Sequence, residues 1–182
     1  MKVFGIDPGS ERTGYGCIET DGSRHALVAC GAIATSPKTT LPDKLLVIHK
    51  ALGRLLAEHR PDSVAVESVF HAANVRSALV LGHARGVALL AAVEGGYPVH
   101  EYAPAEIKRA VAGYGRADKH QVGEMVRMLL GLVEVPTPND AADALAVAIC
   151  HVHATSGPVA EIAARTRRST ARSPKSWREY RP

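Results

Sequence analysis

The stretch "KVFGIDPGS", residues 2–10, decides the fold. Val3, Phe4, Gly5 and Ile6 form an unbroken apolar run, the pattern of a strand buried on both faces. The run ends in an acid, Asp7, and then in Pro8 and Gly9, which punctuate strands. A carboxylate at the end of a strand about to be buried is costly unless something partners it. The rest of the chain has to supply that partner.

Downstream, "RTGYGCIET" (12–20) and "ALVACGAIAT" (26–35) read as two more strands joined by a turn at "DGS". With the first strand they predict an antiparallel meander. Leu41, Leu45, Ile48, Leu52, Leu55 and Leu56 recur at helical spacing over 41–59. "DSVAVES" (62–68) is a second short buried strand, and it too ends in an acid, Glu67. A long helix rich in Ala and Gly follows over 75–94, then a strand over 98–103, helices over 105–113 and 119–132, and an almost wholly apolar helix over 139–154. A meander followed by βαβαβ crossovers predicts an α/β fold: a mixed five-stranded sheet with helices on both faces. Ligands of such sheets lie beyond the carboxyl ends of the parallel strands. Asp7 and Glu67 end two strands expected to be parallel neighbours.

Composition sets the wider class. The chain is 46% hydrophobic and 22% charged, as in soluble globular proteins. No uninterrupted apolar run approaches the roughly 18–20 residues of a membrane span. Cys17, Cys30 and Cys150 are far apart and follow no motif, which points to reduced thiols and a cytoplasmic location. From Gly157 onward there are seven Lys/Arg and two Asp/Glu, a net +5, so the chain's overall +4 leaves −1 for residues 1–156. The expected organisation is one domain over 1–156 and a basic, disordered tail over 157–182. The basic tail suits an acidic partner such as nucleic acid.

A third acidic position lies in "PNDAADALAVA", where Asp140 and Asp143 share one helix face about a turn from its start. Either acid alone is open to a plainer explanation, since an acid near a helix start favours the dipole. That explanation suits Asp140 less, because so apolar a helix must be buried and its acids need a partnered pocket. Four carboxylates gathered in one place repel one another, and a dry cluster would protonate. Mg²⁺ relieves this, since it takes hard oxygen ligands and suits carboxylates plus substrate phosphate. Two Mg²⁺ neutralise four carboxylates, and a metal pair about 3.5–4 Å apart is a standard device for in-line phosphodiester hydrolysis.

The motifs "GIDPGSERTGYG" (5–16), "VAVESVFHAANVRSALVLGHARGVAL" (64–89), "YAPAEIKRAVAGYGRADKHQV" (102–122) and "PNDAADALAVAICH" (138–151) occur in order and nearly continuously. Over about residues 1–154 the chain resembles the RuvC family of Holliday-junction resolvases, which have the ribonuclease-H-like fold. The resemblance implies a metal-dependent endonuclease acting as a homodimer, nicking two opposed strands of a four-way DNA junction in recombination and repair. It implies two Mg²⁺ per subunit, replaceable by Mn²⁺, on Asp7, Glu67, Asp140 and Asp143. It places the family's basic active-site residues on Lys108 and Lys119, where a lysine neutralises charge at the scissile phosphate. It further implies a short T-rich cleavage context and a partnership with the RuvA–RuvB branch-migration complex.

Phe70, one of two phenylalanines, sits in a polar loop three residues after Glu67, where an aromatic ring can stack on an unpaired base. Asn74 and Arg76 beside it are candidate DNA-backbone contacts. "CHVH" (150–153) cannot bring three ligands together from one helix, so no zinc is expected there. "GYGRADK" (113–119) lacks a P-loop ending and reads as a flexible loop touching DNA. The glycines of "GHARG" (82–86) suggest close helix packing across a dimer interface, with Arg85 equally well explained as solvated. Two other classes fit the sequence less well. An actin-like ATPase or kinase domain needs two such units, and the chain shows one. A non-catalytic junction-binding module would be expected to have lost an acid, and none is missing.

Overall fold

The structure, a computed structural model, describes residues 1–68 and 74–156. Three strands form the expected meander: β1 (Lys2–Asp7), β2 (Arg12–Thr20) and β3 (His25–Ala34). On the other side of β1 lies β4 (Ser63–Glu67), parallel to it, and then β5 (Val99–Tyr102), parallel to β4. The sheet order is β3-β2-β1-β4-β5, so the opening strand is its centre. The helices are α1 (Leu41–His59), α2 (Val75–Glu94), α3 (Pro104–Ala112), α4 (Lys119–Leu129) and α5 (Asn139–Ser156).

Strand alternation sorts the core into two layers. Val3, Ile18 and Ala65 face α3, α4 and α5, where they meet Ile107, Val126, Leu145 and Ile149. Phe4, Ile6, Cys17, Val64 and Val66 face α1 and α2, where they meet Ile48, Leu52, Leu56, Ala84 and Ala88. The sheet thus carries helices on both faces, as the sequence predicts.

Local chemistry sets the helix ends. The Thr40 hydroxyl caps α1 at the Asp43 amide, and α1 stops at Arg60, whose φ of 45° is left-handed, just before Pro61. Asp118 and Gln121 form a reciprocal capping box at the start of α4. That cap and the buried Ala117 pin the end of the 113–119 loop. The expected helix over 119–132 ends earlier, at Leu129, because Gly131 turns the chain with φ 63°. Leu130 is still buried, so the apolar period outlasts the helix.

α5 is the enclosed helix, with the sheet beneath it and α3 and α4 against it. It rests on glycines. A Cβ on Gly5 would overlap the Ala144 carbonyl oxygen and lie 2.8 Å from the Ala148 amide. One on Gly14 would overlap the Asp140 carbonyl oxygen, and one on Gly16 would lie 2.9 Å from the Leu145 amide. Gly5 and Gly16 are cross-strand partners, so β1 and β2 form a side-chain-free bed for the helix. At its far end α5 is tied down by buried His151, which shares hydrogen bonds with Ser63 Oγ (2.9 Å) and Tyr102 Oη (2.7 Å). Burial and neighbouring His100 push the His151 imidazole down to about 4, so it is neutral at physiological pH. Cys150 is buried beside it, while His153 is exposed and bonds the Ala110 carbonyl.

α2 is the one described helix long and apolar enough to cross a membrane by length and composition alone. The sequence reading missed this because Arg76, His83 and Arg85 interrupt the run. Ala84, Ala88, Ala91 and Ala92 bury its inner face, and Arg85 pairs with Glu101 rather than standing free in solvent.

The glycine bed predicts opposite outcomes for two alanine substitutions. Gly5→Ala should destabilise by about 3 kcal/mol, because its new methyl meets backbone that cannot move alone. Gly53→Ala, at an open position inside α1, should stabilise by about 0.5–1 kcal/mol. Urea denaturation of the two variants checks both signs.

Candidate active site

Parallel pairing sets Ile6 against Val66, so the next residues, Asp7 and Glu67, reach the same carboxyl edge together. Both follow the alternation of Gly5 and Ala65 and so face the α5 layer. There they interact through their side chains, carboxyl to carboxyl. From α5 comes Asp143, whose Oδ2 accepts a hydrogen bond from Lys119 Nζ at 3.0 Å. Lys119 is the first residue of α4, held in place by the capping box before it. A cavity of about 280 Å³ is lined by Asp7, Glu67, Asp143, Lys108 and Lys119. A second cavity of about 720 Å³ also reaches Asp7, Glu67 and Lys108 and has Pro8, Leu81 and Pro104 in its wall.

Asp140 is placed differently. It ion-pairs with Arg12, Nη1 to Oδ2 at 3.6 Å, and lines neither cavity. Its charge still reaches Lys119. Three of the four expected acids therefore share one pocket, and the fourth stands at its edge with a partner of its own. Arg12 was missed by the sequence reading, although its position two before Gly14 on β2 aims it at the same face.

The electrostatics are those of an overloaded anionic site. Burial, then the neighbouring Glu67 and Asp143 charges, push the Asp7 carboxyl up to about 9. Burial also raises Glu67, with the Asp143 charge acting the same way, while Lys119 and Lys108 offset part of the effect. The Asp7–Glu67 pair therefore keeps a proton at neutral pH. Lys119 is raised by its hydrogen bond to Asp143 and by that charge. Among the described residues no three acids, histidines or cysteines already stand in one coordination sphere; the carboxylates are paired with each other and with bases. The donor set nevertheless fits a hard divalent cation, since it offers carboxylate oxygens only, two of them sharing a proton that a cation would displace.

Of the candidate DNA contacts, Lys108 and Lys119 line the pocket. Asn74 is the N-cap of α2, its Oδ1 accepting from the Ser77 amide at 2.9 Å, and Arg76 is exposed in the helix's first turn. Phe70 and the tail over 157–182 lie outside the described residues.

A mixed sheet in the order 3-2-1-4-5, with carboxylates gathered where its central strand ends, defines a nuclease of the ribonuclease-H-like class. The family model for crossover junction endodeoxyribonuclease RuvC matches residues 3–151, and the chain belongs to the RuvC family. A crossover junction endodeoxyribonuclease RuvC of Trichlorobacter lovleyi is 49% identical over 187 residues, covering 100% of both chains. One from Heliobacterium modesticaldum is 51% identical, covering 88% of this chain and 99% of its own. The solved structure of Thermus thermophilus RuvC in complex with Holliday junction substrate is 39% identical, covers 86% of this chain and 95% of its own, and superposes with a TM-score of 0.81. The yeast mitochondrial Holliday junction resolvase, 13% identical with a TM-score of 0.61, shares the fold.

Raised acid pKa values carry a stability consequence with a definite sign. A carboxyl raised in the folded state binds its proton more tightly there than in the unfolded chain. The cation-free fold therefore loses stability as pH climbs from about 4 toward about 9. Asp7→Asn removes the ionisable group, so it should raise the stability of cation-free protein at pH 8 by about 2 kcal/mol and flatten its pH profile. Thermal melts in EDTA from pH 5 to pH 9 check this; an unchanged profile would mean that the acids are not coupled as described.

Proposed function

We propose that this chain is a Mg²⁺-dependent endonuclease that resolves four-way DNA junctions by paired symmetric nicks, in recombination and repair in the bacterial cytoplasm. The observation that carries the reading is the pocket holding Asp7, Glu67 and Asp143 together with Lys108 and Lys119, in a chain that belongs to a family of crossover junction endodeoxyribonucleases.

In this reading Asp7, Glu67 and Asp143 hold two divalent cations, with Asp140 joining from the edge; Mn²⁺ substitutes for Mg²⁺. When bound, the cations supply Lewis-acid charge for water attack on the scissile phosphate and for departure of the leaving oxygen. The chain's own groups do the rest. The Asp7–Glu67 pair gives up its shared proton on loading. Lys119 turns from Asp143 toward the phosphate, and Lys108, from α3, neutralises charge in the same pocket. Phe70, Asn74 and Arg76, on the segment after Glu67, contact the junction strands. The basic residues from Gly157 onward add phosphate contacts without sequence preference. The RuvA–RuvB motor is the proposed supplier of junctions.

Two nicks in opposed strands call for two sites related by a two-fold axis, which a homodimer supplies. The outer face of α2 supports this arrangement. Val75 (77% exposed), Leu79 (61%), Leu90 (50%) and Val93 (63%) fall on one stripe with Gly82 and Gly86, which have open space around them. An apolar stripe with two glycines suits close approach of a second copy of the same helix.

Two measurements test these readings. With a labelled four-way junction, wild-type protein should nick in Mg²⁺ and only bind in Ca²⁺. Asp7→Asn should bind but nick more slowly by about three orders of magnitude or more, and wild-type rates from that variant would overturn the assignment. Sedimentation should show a micromolar dimer that Leu79→Glu dissociates without loss of helical signal. A wild-type chain that stays monomeric on junction DNA removes the dimer from the proposal.

A further inference from the structure

We infer that Arg12 is a DNA-phosphate ligand that the DNA-free protein keeps engaged on Asp140, so that cation binding and strand binding at this site favour one another. The inference deepens the nuclease reading and rests on it.

Position comes first. Arg12, Gly14 and Gly16 alternate onto the α5 face of β2. Gly14 has no side chain, and the Asp140 backbone lies directly on it. Arg12 is the next residue outward on that face, and the first with a side chain long enough to pass the start of α5. Register also places it beside the catalytic strand, since Asp7 pairs with Gly14. Lys108 and Lys119 approach the acids from α3 and α4. Arg12 comes from β2 and meets Asp140 at the pocket's edge, so a strand crossing the acids would meet basic groups from three different elements.

The strength of the pair comes next. Its single approach of 3.6 Å is long, and the Arg12 side chain is 60% exposed. Such exposed ion pairs contribute little, so this one is easily exchanged. The guanidinium carries five donors in a planar fork, and none makes a hydrogen bond to a described residue. A phosphate takes that fork two donors at a time. Asp140, 27% exposed, is the one expected acid held away from the pocket, and Arg12 is the group holding it. A cation that draws Asp140 inward frees the guanidinium for phosphate. A phosphate that takes the guanidinium frees Asp140. Linkage makes the two effects equal in size.

The test uses Arg12→Gln in the full chain, with two readouts that involve no cleavage. Calorimetry gives the affinity of the protein alone for Ca²⁺. Fluorescence anisotropy gives junction affinity in Ca²⁺ across a salt series. Arg12→Gln should weaken junction binding about tenfold, the loss of one charge-assisted phosphate contact, and lower the salt slope by about 0.9. Its Ca²⁺ affinity should move the other way, rising about threefold, because Asp140 is no longer engaged. Adding Asp140→Asn should abolish the Ca²⁺ gain and leave the junction loss in place. A merely structural role for Arg12 would lower both affinities together, and that result overturns the inference, as does an unchanged junction affinity and slope. Wild-type protein that binds neither Ca²⁺ nor junction overturns the nuclease reading, and this inference with it.

Discussion

The seating of α5 on bare backbone is the constraint from which the rest follows. Helices ordinarily pack on sheets through a layer of side chains. Here Gly5, Gly14 and Gly16 remove that layer under one helix, and Ala144 and Ala148 meet the strands almost backbone to backbone. Close packing of this kind gains dispersion along the whole helix and leaves no void for relaxation. It also fixes the height of the first turn above the sheet. The carboxylates of Asp7, on the strand, and Asp143, on the helix, can share a small cavity only because no Cβ stands between the elements that carry them. A helix raised by one methyl layer would carry Asp143 out of reach.

That placement has a cost in the cation-free fold. Two buried carboxyls side by side favour a shared proton over two charges, and the fold carries this strain where β1 ends. The opposite end of α5 is built in the contrary manner. His151 is also buried and ionisable, but it is held neutral with both ring nitrogens satisfied by Ser63 and Tyr102. One end of the helix is a neutral polar network that fixes position, and the other is a cluster of acids held by a shared proton and by basic partners. Protein stability and site function are thus separated along a single helix, 18 residues long.

Much of this was legible in the sequence. The unbroken run in β1, the acids ending β1 and β4, and the small-residue character of α5 point to the mixed sheet, the parallel pairing of β1 with β4 and the carboxyl edge, because burial on both faces and strand-end position are one-dimensional signals. What escaped was rotational or depended on a third element. The sequence favours Asp140 over Asp143, yet it is Asp143 that lines the pocket; the two lie three apart and share a helix face, so spacing cannot separate them, and the strand beneath does, through Gly14 and Arg12. The end of α4 was overrun because Leu130 and Leu132 keep the apolar period after Gly131 has turned the chain. Arg85 reads as a surface charge until β5 brings Glu101 beside it. The roles expected of Phe70 and of the tail concern residues outside the described structure.

Charge distribution adds a last constraint on how such a site meets DNA. Residues 1–156 carry a net −1, and the residues that would face the scissile phosphate include a cluster of acids. A polyanion has no electrostatic reason to approach that cluster while it is bare. On the proposed function, attraction would come first from outside it, from the basic residues beyond Gly157 and from exposed side chains such as Arg76. Within the site, the sign of the field depends on occupancy. Lys108, Lys119 and Arg12 roughly balance the acids when the Asp7–Glu67 proton is in place, and divalent cations would turn the balance positive. On this count a phosphate would gain little at a centre without cations and would be attracted to a loaded one. The proposed coupling between cation and strand would then follow in part from the charge count itself, before any conformational change is invoked.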